Sequence, residues 1–110
     1  MLEVTNKTRW KLTPNKAFLF KKIALPILGR SYDLSLVVCT DKLSEHNVLA
    51  YPLSKTEGEI LLNPFRKGDF NIAYLFLHAC IHLKGLDHGP KMDAFESKFL
   101  LKLKLTPNSL

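Results

Sequence analysis

The stretch from Ile72 to Ile81 is apolar on nearly every side, with Ile72, Ala73, Leu75, Phe76, Leu77 and Ile81. A helix of that pattern belongs in the interior, laid against a sheet. Asp69 is its expected N-cap, and it is expected to end at Lys84, whose charge suits a last helical turn. An earlier helix is signalled by Thr13-Pro14, a capping hydroxyl followed by proline in the first helical position. It carries Ala17, Phe18, Phe20, Ile23 and Ala24 toward a core and stops between Pro26 and Gly29. A third helix starts at Pro90, with Met92, Phe95, Phe99 and Leu103 on one stripe. Asn108 and Ser109 are expected to fray. Four segments read as strands: Met1–Thr5, Asp33–Thr40, Val48–Leu53 (ended by Pro52 or soon after) and Gly58–Asn63. Together the elements predict an α/β (α+β) fold. Residues 1–110 form one small domain, a sheet of about four strands with the apolar helix as its central partner.

At 110 residues the chain is long enough for a real core, and a 46% hydrophobic share suits a globular protein. Sixteen Lys and Arg against ten Asp and Glu give a formal charge of +6. That excess favours polyanionic partners such as RNA, although solubility alone also accounts for it. Cys39 and Cys80 lie in apolar runs without ligand spacing and read as buried free thiols of a reducing compartment. With no signal peptide and no membrane-length apolar run, the expected location is the cytoplasm.

Three of the four histidines fall in one run, His78-Ala79-Cys80-Ile81-His82-Leu83-Lys84-Gly85-Leu86-Asp87-His88. A spacing of four puts His78 and His82 on one helix face, one turn apart. Gly85 can take the left-handed conformation that ends a helix. Leu86 and Asp87 then turn the chain so that His88 returns toward the other two rings. Three neutral imidazoles around one point, with a fourth position open, are the donor set of a catalytic zinc site. The plain alternative is a set of core histidines with satisfied hydrogen bonds. An interior helix, however, seldom carries two unpaired imidazoles. Asp87 is placed to accept the free ring N–H of a ligand, or to serve as an ordinary turn aspartate. Cys80 lies about 200° around the helix from His78 and is not a ligand. A zinc protease of the His-Glu-x-x-His type carries its general base directly after the first histidine, where this chain has Ala79, so peptidase activity is not expected.

The histidine run resembles the His-x-x-x-His-Leu-x-Gly-x-Asp-His signature of the YbeY family, bacterial rRNA maturation factors described as metal-dependent single-strand endoribonucleases. Asn47-Val48-Leu49-Ala50-Tyr51-Pro52 is similar to that family's Asp/Asn-Val-Leu-Ser-Phe-Pro strand, and Gly58-Glu59-Ile60 to its Gly-Asp/Glu-Ile strand. Met92 and Glu96 fall where the family often has such residues on its last helix. The resemblance spans most of Val37 to Leu105, in the family's order.

It implies a small α/β domain with one zinc ion on His78, His82 and His88. It also implies a hydrolase, an endonuclease acting on single-stranded ribosomal RNA in ribosome biogenesis and quality control. The partners implied are that RNA and the ribosome or its small subunit, with no membrane. Lys55, Arg66, Lys67 and Lys84 are candidate phosphate contacts, and equally a solvated surface. Glu59 and Asp87 are the carboxylates nearest by motif for a general base, and His46 precedes the strand facing the site. The chain departs from the family in three places. The arginine-bearing segment is absent between Glu45 and Asn47; Lys42 is the nearest cation, and lysine does not reproduce the bidentate fork of arginine. Ala50 replaces the strand serine, and the stretch from Asn63 to Asp69 is short. These departures imply weakened catalysis. The competing expectation is a metal-stabilised RNA- or ribosome-binding protein without nuclease activity.

Overall fold

The computed structural model describes residues 1–40 and 46–108. Residues 41–45, including Lys42, and Ser109 lie outside them. The elements run β1 (Leu2–Asn6), α1 (Pro14–Leu28), β2 (Asp33–Val38), β3 (Val48–Pro52), β4 (Glu57–Leu62), α2 (Ile72–Leu83) and α3 (Pro90–Leu103). The four strands form one mixed sheet in the order β1-β2-β4-β3. β2 pairs in parallel with β1 and with β4, while β3 runs antiparallel along the edge of β4.

Period-two alternation sorts the sheet into two faces. Leu34, Leu36, Ile60 and Leu62 point into the main core, with Val4, Val48 and Ala50 packed beside them. The opposite face holds a smaller cluster, Cys39 and Leu61 with Val37 and Leu49. All three helices contribute to the main core: Phe20, Ile23 and Ile27 from α1, Phe76, Leu77 and Ile81 from α2, Met92 and Phe99 from α3. The α2 helix is the hub, touching α1, α3, β3 and β4. The central place expected for it from its apolar pattern is the place it takes.

The α1 start is as expected, with the Thr13 side chain accepting from the Lys16 N–H at 3.2 Å and Pro14 following. Phe18 is a correction: its ring is 68% exposed. The buried stripe runs through Phe20, Ile23, Ala24 and Ile27, and a residue two before Phe20 lies about 200° away from it. The cap of α2 is also corrected. Asn71, not Asp69, accepts from the Ala73 N–H at 3.1 Å. Asn108 is tied down rather than frayed. It bridges to Phe70, and the Asn71 N–H donates to the Pro107 carbonyl at 2.9 Å. Among the described residues no helix is long and apolar enough to cross a membrane.

Candidate metal centre

Eight residues of α2 are buried, and the half-exposed ones include Tyr74, His78 and His82. These three repeat every fourth position, so they form a strip along one helix face. The helix then ends in two bonds that reverse the chain. The Gly85 N–H reaches the His82 carbonyl at 2.9 Å and the Leu86 N–H reaches the Ile81 carbonyl at 3.4 Å. Gly85 adopts φ 102°, a conformation that glycine takes without a Cβ penalty. This reversal carries His88 back against the other two rings.

The three imidazoles converge. One ligand atom from each of His78, His82 and His88 lies within 4.8 Å of the others. The Nε2 atoms of His78 and His82 are 3.2 Å apart. A tetrahedral zinc with ligand nitrogens at ~2.0–2.1 Å sets them about 3.3 Å from one another, so this pair already has the required spacing. His78 and His82 are half-buried and His88 is exposed. The outer side of the centre therefore faces solvent and leaves room for a further ligand.

Protonation suits the same role. Burial holds the His82 imidazole below the usual histidine range, and the neighbouring His78 and His88 rings push it the same way. The Leu86 backbone and Asp87 oppose that shift. A neutral ring at neutral pH is the form that binds metal. His78 is posed by Glu96 of α3, whose Oε2 lies 2.8 Å from its Nδ1. With Nδ1–H donated to that carboxylate, the Nε2 lone pair is left toward the centre. The other oxygen, Oε1, accepts from the Tyr74 hydroxyl at 2.7 Å. Burial and the Glu96 charge push the Tyr74 pKa far up, so its hydroxyl stays a donor.

The centre opens into a cleft of about 650 Å3. Tyr74, Leu75 and the three histidines line one side, with Phe70 and Asp87, and Asn47 to Ala50 and Pro52 of the β3 edge line the other. Asp87 thus stands at the cleft, where its charge reaches His82. The ring N–H of His78 goes to Glu96 instead. Glu59 is excluded as a base. It lies on β4 opposite Tyr51 of β3, one residue out of step with Ile60, and so on the sheet face away from α2. Neither His46 nor any of Lys55, Arg66, Lys67 and Lys84 lines the cleft. Lys84 instead caps the end of α2, and Lys67 lines a separate hollow with Trp10 and Lys16.

Glu96 and Tyr74 were not assigned to the site from sequence, though both left a trace. Tyr74 continues the four-residue repeat of the histidines. Glu96 sits four after Met92 and three before Phe99, on the apolar stripe of α3, where an acid must find a partner. Compared with models of known protein families and with curated proteins, the chain matches none of them.

Proposed function

We propose that the chain is a compact YbeY-like protein that holds one zinc ion on His78, His82 and His88 and cleaves single-stranded RNA, ribosomal RNA being its target in the cytoplasm. The observation that carries this reading is the convergence of three imidazoles at the mouth of an open cleft. The histidine run that forms it is the one resembling the endoribonuclease signature.

Zinc bound there supplies polarisation of a phosphoryl oxygen and a water acidified to a pKa of about 7. The chain's own residues do the rest. Glu96 holds His78 in the ligating tautomer and is itself held by Tyr74. Asp87, exposed and lining the cleft, is the carboxylate we assign to take a proton from an attacking water. Ala79 is buried and offers no base.

One observation favours a second reading, an RNA- or ribosome-binding protein in which the metal only stabilises the domain. Among the described residues no lysine or arginine lines the cleft. Charge stabilisation placed at the reacting phosphate is usually the largest catalytic term, whereas binding draws on diffuse charge.

The deciding experiment is metal analysis of the purified protein, then incubation with single-stranded RNA with and without chelator, beside filter binding at the same salt. Cleavage that needs metal and is lost in His78→Ala supports the nuclease. Binding without cleavage selects the second reading. Neither binding nor cleavage at low salt rejects both.

A further inference from the structure

Phe70 is a large apolar ring left 40% exposed inside the cleft that leads to the three histidines. Its position is fixed from several sides. Its N–H donates to the Lys67 carbonyl at 3.1 Å, and its backbone bridges to Asn108. Its ring stacks on Tyr74, with centroids 5.8 Å apart and planes 22° from parallel. Tyr74 is itself anchored through its hydroxyl to Glu96 and lies 5.9 Å from the His78 ring. Phe70, Tyr74 and His78 therefore form a continuous aromatic ledge running from the open cleft to the ligand cluster. The facing wall is the β3 edge, which adds Asn47 to an otherwise apolar lining of Val48, Leu49, Ala50 and Pro52.

A preformed aromatic face costs little to use, because its side chains are already ordered before the ligand arrives. It recognises a planar π-face and is indifferent to which base carries it. Among the described residues the cleft's lining supplies no ammonium or guanidinium, and what the aromatic ledge itself offers is a face for a neutral planar ring rather than for a phosphate.

We propose that the Phe70–Tyr74 ledge is a nucleobase-stacking subsite, which seats one unpaired base of a single strand beside the phosphate held at the histidine centre. This rests on the RNA reading above and adds the reason for single-strand selection: a base paired within a helix cannot be splayed onto the ledge. Phe70 is a specificity-determining residue, and its π-face, more than its volume, is what binds.

The test uses the zinc-loaded full chain and a short fluorescein-labelled single-stranded RNA, titrated by anisotropy at low temperature. Parallel titrations use strands carrying one abasic nucleotide at successive positions. On the wild type, one abasic position weakens binding about tenfold. Phe70→Ala and Phe70→Leu each weaken binding of the intact strand about tenfold and make that abasic position silent, while Phe70→Trp retains affinity. Zinc content and melting temperature are recorded for every variant, and Phe70→Leu keeps the apolar bulk should Phe70→Ala disturb the fold. Intact binding by Phe70→Leu, or a flat abasic scan, overturns the ledge while leaving RNA binding in place. A wild type that retains zinc but binds no single strand overturns the RNA reading and the ledge with it. Preference for a tyrosine-containing peptide over the RNA would overturn the assignment to a nucleobase.

Discussion

The hydroxyls of Tyr74 and Tyr32 both turn inward, and among the described residues only the first meets an acceptor. Tyr74 donates to Glu96, whose second oxygen lies against His78, so each polar atom in that row has a partner. The Tyr32 hydroxyl, just ahead of β2, is buried and has no hydrogen-bond partner among the described residues, and burial pushes its pKa up. Gly58 lies close against it; a Cβ at position 58 would collide with that oxygen and press on Leu83. Burying a hydroxyl without a partner costs stability. The difference separates two kinds of interior polar group. The row at α2 aims a ligand nitrogen at a shared centre, and its polar atoms are conformationally useful. The group at β2 fills volume with an aromatic ring and carries its oxygen as a burden.

The largest expected effect tests whether the α2 row serves a metal. With free zinc held about a thousandfold above its dissociation constant, binding adds about 4 kcal/mol to stability. For a domain of this size that is roughly 15 °C in melting temperature. His82→Ala is expected to melt where the chelated wild type melts and to show no response to added zinc. A mutant that still gains stability with zinc would place the ion elsewhere. Glu96→Gln tests the posing of His78. It leaves the size unchanged but removes the carboxylate, and zinc affinity measured against a competing chelator should fall about 10- to 100-fold. Unchanged affinity would mean that His78 needs no outer partner.

On the other side of the comparison, Gly58→Ala should destabilise by about 1–3 kcal/mol in denaturant melts, because the added methyl meets the Tyr32 oxygen and Leu83. Combining it with Tyr32→Phe should recover part of that loss, since the two sites touch and are expected to couple. Strict additivity would show that Leu83 alone makes the clash.

A pH series sharpens the α2 side again. The folded-state pKa of His82 is lowered, first by burial, so between that value and the ordinary histidine pKa of about 6.5 the unfolded chain binds more protons. Stability of the metal-free protein should hold above pH ~7 and decline as pH falls through about 6.5. His82→Leu should flatten the slope. A stability that rises on acidification would reverse the assigned shift. The smallest effect is expected from Tyr32→Phe alone. Removing an unpartnered buried hydroxyl should leave stability unchanged within about 1 kcal/mol, or raise it. A larger loss would reveal a partner, such as a buried water, at that oxygen.

Much of the architecture was legible because it is written in local periods. The core-facing Phe20, Ile23 and Ala24, the apolar runs of β2 and β4, and the proline-led starts of α1 and α3 depend only on backbone geometry and on neighbours within a turn or two. Phe18 shows the edge of that method: hydrophobic character was readable, but its angular offset from the stripe decided its exposure. Asp69 and Asn71 show another. Both are good caps, and it is Asn71, tied through its N–H to the Pro107 carbonyl, that begins α2. The side of the sheet on which Glu59 falls was likewise hidden until the register with β3 was known, because a shift of one residue exchanges the faces.

By itself, the sequence determined the cluster of three histidines. The four-residue interval, the glycine reversal and the third histidine are contiguous, and each acts through bonds within a few residues of itself. Tertiary structure decided everything that joins distant segments. Glu96 is 18 residues from His78, and it becomes the acceptor for Nδ1 only because α3 lies against α2 in that one rotation. Phe70, Asn47 and Asp87 share a cleft only because the β3 edge lies opposite α2. Spacing along a chain can align donors on one helix face, but which way each imidazole turns is settled by the group on its far side, and that group arrives with the packing of another element.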